Sequence, residues 1–163
     1  MKLNTLRDLY VEQLQDLYSA ETQLTKALPK MEQAASHPDL KEAFRRHTQQ
    51  TEQHVQRLEQ VFKMLGEKPG GHTCKAMEGL IKEGDEMRKT KGDPAAIDAG
   101  LIAAAQRVEH YEIAGYGCVR TYANQLGESQ GASLLQQTLE EEGTTDKLLT
   151  QIAERVINLE AER

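Results

Sequence analysis

Glu21, Glu112 and Glu142 each fall inside a run of apolar residues that recurs with helical period, and each belongs to a different predicted helix. His47 and His54 interrupt the run of a further helix. A carboxylate placed where leucine belongs is costly to bury unless something pairs with it. Three of them converging in one core with imidazole call for a shared cation, a metal ion or two. Carboxylate oxygen with imidazole nitrogen suits iron or manganese, and zinc accepts the same donors. Glu109 lies three residues before Glu112 and Asp146 four after Glu142, spacings that share a helix face. The candidate ligands are therefore Glu21, His54, Glu109, Glu112, Glu142 and Asp146, serving two ions per chain. Glu109 and Asp146 are equally at home in solvent, and His47 and His54 equally serve as hydrogen-bonded core or interface histidines. Tyr18 and Tyr111 flank the proposed site and read first as packed core.

Four long helices must position these groups. The first spans about 5–35, opens on a capping-box pair, Thr5 and Asp8, and carries Pro29, which should kink or end it nearby. The second follows the break at Ser36-His37-Pro38 and stops at Gly66. A shorter helix spans about 73–89, with Met77, Leu80, Ile81 and Gly84 on one side. Asp93 caps a third long helix over about 94–126, whose stripe includes Leu101, Ala105, Val108, Tyr111, Gly115 and Val119. The fourth covers about 129–159, with Leu134, Thr138, Thr145, Leu149, Ile152 and Val156 inside. No strand pattern occurs. Short first and last connections make antiparallel pairs, and a long second connection carries its own helix. This is an all-α, ferritin-like four-helix bundle with a long crossover, read as a single domain over 1–163. Residues equidistant from a hairpin turn share a height. Glu21 therefore faces the level of Gln50, Thr51 and His54, and Glu112 that of Glu142. Both hairpins place their polar groups at mid-height.

The remaining composition mostly excludes. A formal charge of −6 argues against a dedicated nucleic-acid binder. The longest apolar stretch, 100–105, is too short to span a bilayer, and the first residues lack the apolar segment of a signal peptide. The expected compartment is the cytoplasm, with Cys74 and Cys118 as reduced thiols. No flavin, nicotinamide or haem motif is present.

Several segments resemble the YciF-type bacterial stress proteins of the ferritin-like superfamily. They are Leu17-Tyr18-Ser19-Ala20-Glu21, Ala76-Met77-Glu78-Gly79-Leu80-Ile81, Val108-Glu109-His110-Tyr111-Glu112-Ile113-Ala114, and Leu139-Glu140-Glu141-Glu142 followed by Thr145-Asp146. The resemblance implies a rubrerythrin- or manganese-catalase-like bundle, a homodimer, and a role in osmotic, oxidative or envelope stress. It also implies the superfamily ligand pattern, one Glu on each of two helices and Glu-x-x-His on each of the others. Glu21 and Glu112 fill the single-Glu roles. The second helix offers Gln50-x-x-x-His54 instead, and the fourth offers Glu142-x-x-Thr145, with Asp146 as a substitute. Two functions compete, with iron storage in a cage a weaker third. One is an iron or manganese centre handling peroxide or oxygen. The other is a non-enzymatic dimeric stress protein that keeps a vestigial polar core and works through protein–protein contacts. Whether a reaction is catalysed stays open.

Overall fold

The computed structural model describes residues 3–163. Helix α1 covers Leu6–Ala34, α2 Pro38–Leu65, α3 Lys75–Lys89, α4 Pro94–Gln125 and α5 Ser129–Ile152. A π-helical turn, Ala153–Ile157, continues α5 into the short α6, Asn158–Ala161. No strand occurs among the described residues.

The helix ends follow the local chemistry of the sequence. Thr5 and Asp8 close a reciprocal capping box at the start of α1. Asp93 accepts hydrogen bonds from the amides of Ala95 and Ala96, with Pro94 at the first turn of α4. Gly66, at φ +68°, ends α2 in the left-handed conformation that glycine adopts without strain. Pro29 does not end α1, which runs on to Ala34.

The bundle alternates apolar and polar layers along its length. One apolar cluster gathers Leu24, Leu28, Leu40, Phe44, Leu101, Leu149 and Ile157. The other gathers Tyr10, Leu14, Leu17, Leu58, Phe62, Val119 and Leu135. Every long helix passes from one cluster to the other. Along α1 and α5 the direction is opposite to that along α2 and α4, so each helix packs against antiparallel neighbours. The parallel α2 and α4 require the crossover that holds α3. Between the clusters lie Glu21, Thr51, His54, Glu109, Glu112, Thr138, Glu142 and Thr145, all buried.

Two details fix the frame around this layer. Asp98, buried on α4, accepts hydrogen bonds from the amides of Ser36 (2.9 Å) and His37 (2.7 Å) in the α1–α2 turn. Helix α3 covers its own bundle, with Met77 and Gly84 buried and Leu80 and Ile81 packed on the apolar cluster. The face of α4 also differs from the expected stripe. Tyr116 and Ala123 are fully buried, while Tyr111 is only partly so. The true inward line is 105, 109, 112, 116, 119 and 123, rotated toward Glu109 and away from Gly115 and Tyr122.

Candidate metal centre

The polar layer resolves into two groups that share one residue. Glu21, His54 and Glu142 bring ligand atoms within 4.8 Å of one another, and so do His47, Glu109, Glu112 and Glu142. Glu142 of α5 stands between the groups. Its Oε1 lies 2.9 Å from His54 Nδ1 and its Oε2 lies 3.6 Å from His47 Nε2. His54 Nδ1 is also 3.2 Å from Glu21 Oε1, and His47 Nε2 is 3.2 Å from Glu109 Oε1. These approaches are close but poorly aligned for hydrogen bonding. His47 Nε2, His54 Nδ1, both oxygens of Glu112 and of Glu142, Glu21 Oε2 and Glu109 Oε2 have no hydrogen-bond partner among the described residues. So many unpartnered polar atoms in one buried place are costly, and a cation is one partner that the grouped ligand atoms could hold.

Of the residues expected from sequence, five meet here: Glu21, His54, Glu109, Glu112 and Glu142. Glu109 is 1% exposed, so its solvated alternative does not hold. Asp146 is not brought in. Its Oδ1 accepts a 3.0 Å hydrogen bond from Gln106 and lies 3.3 Å from the exposed His110. His47 joins in its place. The inward residue of α2 one turn before His54 is Thr51, fully buried, rather than the half-buried Gln50. The motifs are thus Thr51-x-x-His54 and Glu142-x-x-Thr145. The first lacks the carboxylate and the second the imidazole of Glu-x-x-His. His47 lies against Thr145, with Nδ1 3.3 Å from Oγ1, and fills the region a histidine at 145 would serve. Glu109, one turn from Glu112, brings a further carboxylate into the group. The total of four carboxylates and two imidazoles equals that of two Glu plus two Glu-x-x-His motifs.

Three supporting contacts escaped the sequence reading. Tyr116 donates a 2.5 Å hydrogen bond to Glu21 Oε1. Its place four residues after Glu112, on the same helix face, was the available signal. His54 Nε2 lies 2.8 Å from Glu141 Oε2, and Arg57 clamps Glu141 through two hydrogen bonds of 2.7 and 2.8 Å. A histidine held at one nitrogen by a carboxylate presents the other to the cluster in a fixed orientation. The hydroxyls of Tyr18 and Tyr111 are engaged outside the cluster. Tyr18 bonds to Glu59, while Tyr111 bonds to Asp16 and contacts Cys74 Sγ.

The electrostatics follow from burial. Burial raises Glu21, Glu109, Glu112 and Glu142 above the ordinary carboxylate range, most strongly Glu112, where Glu21, Glu142 and Glu109 add their repulsion. For His54, burial works against the charged form. The carboxylates of Glu21 and Glu142 outweigh it and push the ring up to about 11. Burial also opposes ionisation of Glu141, but Arg57 and His54 keep it below its usual value. In the absence of a cation, the cluster therefore holds protons that a metal would displace.

A family profile described as a domain of unknown function, DUF892, matches residues 5–162. The Escherichia coli (strain K12) protein YciF is 45% identical over 163 residues, which cover 99% of this chain and 98% of that one. The crystal structure of the E. coli stress protein YciF superposes with a TM-score of 0.92 at 44% identity, covering 96% of this chain and 99% of that one. A Rhodopseudomonas palustris protein, YcfI, described as a candidate structural protein, superposes with a TM-score of 0.88 at 43% identity over 91% of this chain and 95% of that one.

Proposed function

This chain belongs to the DUF892 family, and on that premise we propose that it is a single-domain stress protein holding a di-metal carboxylate centre. The buried cluster joined by Glu142 carries this reading. Two divalent ions would cancel the charge of its four carboxylates, which otherwise lie unpartnered in a low-dielectric core. Glu21 and His54 would hold one ion, His47, Glu109 and Glu112 the other, and Glu142 both. The oxygen and imidazole donors favour iron or manganese. When bound, such ions supply Lewis acidity and one-electron chemistry toward an oxidant such as dioxygen or peroxide. The chain's own residues do the positioning. Glu141 and Arg57 fix His54, Thr145 fixes His47, and Tyr116 fixes one oxygen of Glu21.

Elemental analysis of protein grown with added iron and manganese tests the reading. About two transition-metal ions per chain are expected. Glu142→Gln should lose most of both, because its carboxylate serves both groups. Asp146→Asn should keep both. The description of the R. palustris relative favours a second reading, a bundle that works as a structural protein with a vestigial core. In that case wild type and Glu142→Gln would carry equally little metal.

A further inference from the structure

A small, mostly apolar cleft lies between α1, α3 and α4 and shares Glu109 with the cluster. Leu28 and Met31 form one wall, Leu80 and Ile81 of the crossover helix another, and Ala104 and Ala105 the third. Glu109, whose Oε2 is buried and unpartnered among the described residues, also lines it. Small side chains keep it open. Gly84 of α3 faces Ala104, and even an added Cβ there would stand 3.8 Å from the Ala104 methyl. The cleft volume is about 30 Å³. A cavity needs roughly 10–15 Å³ for one water, so the space suits one or two small molecules and nothing larger.

The lining selects among small oxidants. Hydrogen peroxide carries two hydroxyls, and burying them without partners is costly. Along the walls the only polar side chains are Asp85 and Glu109, and Asp85 is already engaged by Arg88 Nε at 2.5 Å. The rest of the lining is Leu, Ile, Met, Val, Ala and Gly, and an apolar lining of this kind favours apolar guests. Resting on the di-metal reading above, we propose that this cleft is the binding site and entry path for dioxygen, delivered along the α3 face to the Glu109 side of the centre. The crossover helix then has a task beyond covering the bundle, since it supplies one wall of the path.

Xenon is the probe for the path itself, because it is apolar, similar in size and independent of any bound metal. Crystals of the full chain pressurised with xenon should show it between Leu28, Ile81 and Ala105. The second arm uses Ala104→Leu and, at a different wall position, Ala27→Leu, both at partly exposed helical sites. With iron loaded anaerobically to wild-type content, each should slow oxidation by limiting dioxygen severalfold. Oxidation by hydrogen peroxide should stay at the wild-type rate. Absence of xenon from the cleft overturns the proposal and leaves the metal centre untouched. An unchanged dioxygen rate in the filled variants, or equal slowing with both oxidants, overturns it as well. If neither variant folds, the xenon result decides alone. If the wild type takes up no metal, the di-metal reading fails, and this inference fails with it whatever xenon does.

Discussion

Glu112 has both carboxylate oxygens buried without a hydrogen-bond partner among the described residues. A leucine there would remove a desolvated acid and extend the apolar layers. Replacing a buried ion pair or triad by apolar residues of similar volume is often neutral or stabilising by about 1–4 kcal/mol, and an unpaired acid forfeits no partner. Glu112→Leu should therefore raise the denaturation midpoint of metal-free protein while lowering metal content. A variant less stable than metal-free wild type would show that the acid is satisfied in a way its geometry does not reveal. Glu141 gives a prediction of a different kind. It touches the cluster only through His54, so Glu141→Gln should leave the fold intact and weaken metal affinity by about 10–100-fold, as loss of an outer carboxylate partner does elsewhere. Competition with a chelator measures this, and unchanged affinity would remove Glu141 from the positioning set.

The titrating groups also set the sign of the pH response. His54 is raised from 6.5 to about 11 in the folded chain. Its contribution to stability is fully present below pH 6.5 and is lost as pH rises through about 11. The buried carboxyls are raised from 4.5, so their contribution is likewise present below 4.5 and lost as pH rises through their folded values. Both act in the same direction. Metal-free protein should become steadily easier to unfold by urea between about pH 5 and pH 9, and bound metal should flatten that slope by replacing the protons. A metal-free midpoint that rises across the range would contradict the assignment.

At the scale of the elements, the α1–α2 turn is tied to α4 by a buried carboxylate and not only by packing. Asp98 accepts from two backbone amides at the entrance to α2, where unsatisfied N–H groups concentrate. Asp98→Ala would leave those donors unpaired and should cost about 2–3 kcal/mol, read from urea denaturation. Helix ends were legible in the sequence because their causes are local: a capping box, a proline at the first turn and a glycine at the exit each act within a few residues. The inward face was less legible. At 100° per residue, Glu109 lies about 60° from Glu112, whereas Asp146 lies only about 40° from Glu142. Angle alone therefore ranks Asp146 ahead, and the fold reverses that order. Helix α4 rolls Glu109 into the core, while Gln106 and His110 hold Asp146 at the rim. The π turn at Ala153–Ile157 likewise shifts the register at the end of the bundle, burying Ile157 rather than Val156.

Across the whole molecule, the polar layer divides the core into two apolar clusters, each fed by all four long helices. Ordinary hydrophobic packing on both sides can hold a costly middle layer in place, which is how a bundle stays folded around a site that does not stabilise it. Among the described residues no helix is long and apolar enough to cross a membrane.

The sequence by itself determined the helices, their order, the long crossover and the mid-height convergence of acids, because periodicity, capping and hairpin length are local or nearly local properties. It also named five of the six residues of the cluster. Only the tertiary structure decided that His47 joins the cluster, that Thr51 rather than Gln50 faces inward, that Asp146 stays outside and that α3 lies on its own bundle. Those outcomes depend on how far each helix rolls about its axis against its neighbours. That roll is set by the joint packing of side chains from several helices, which no single stretch of sequence contains.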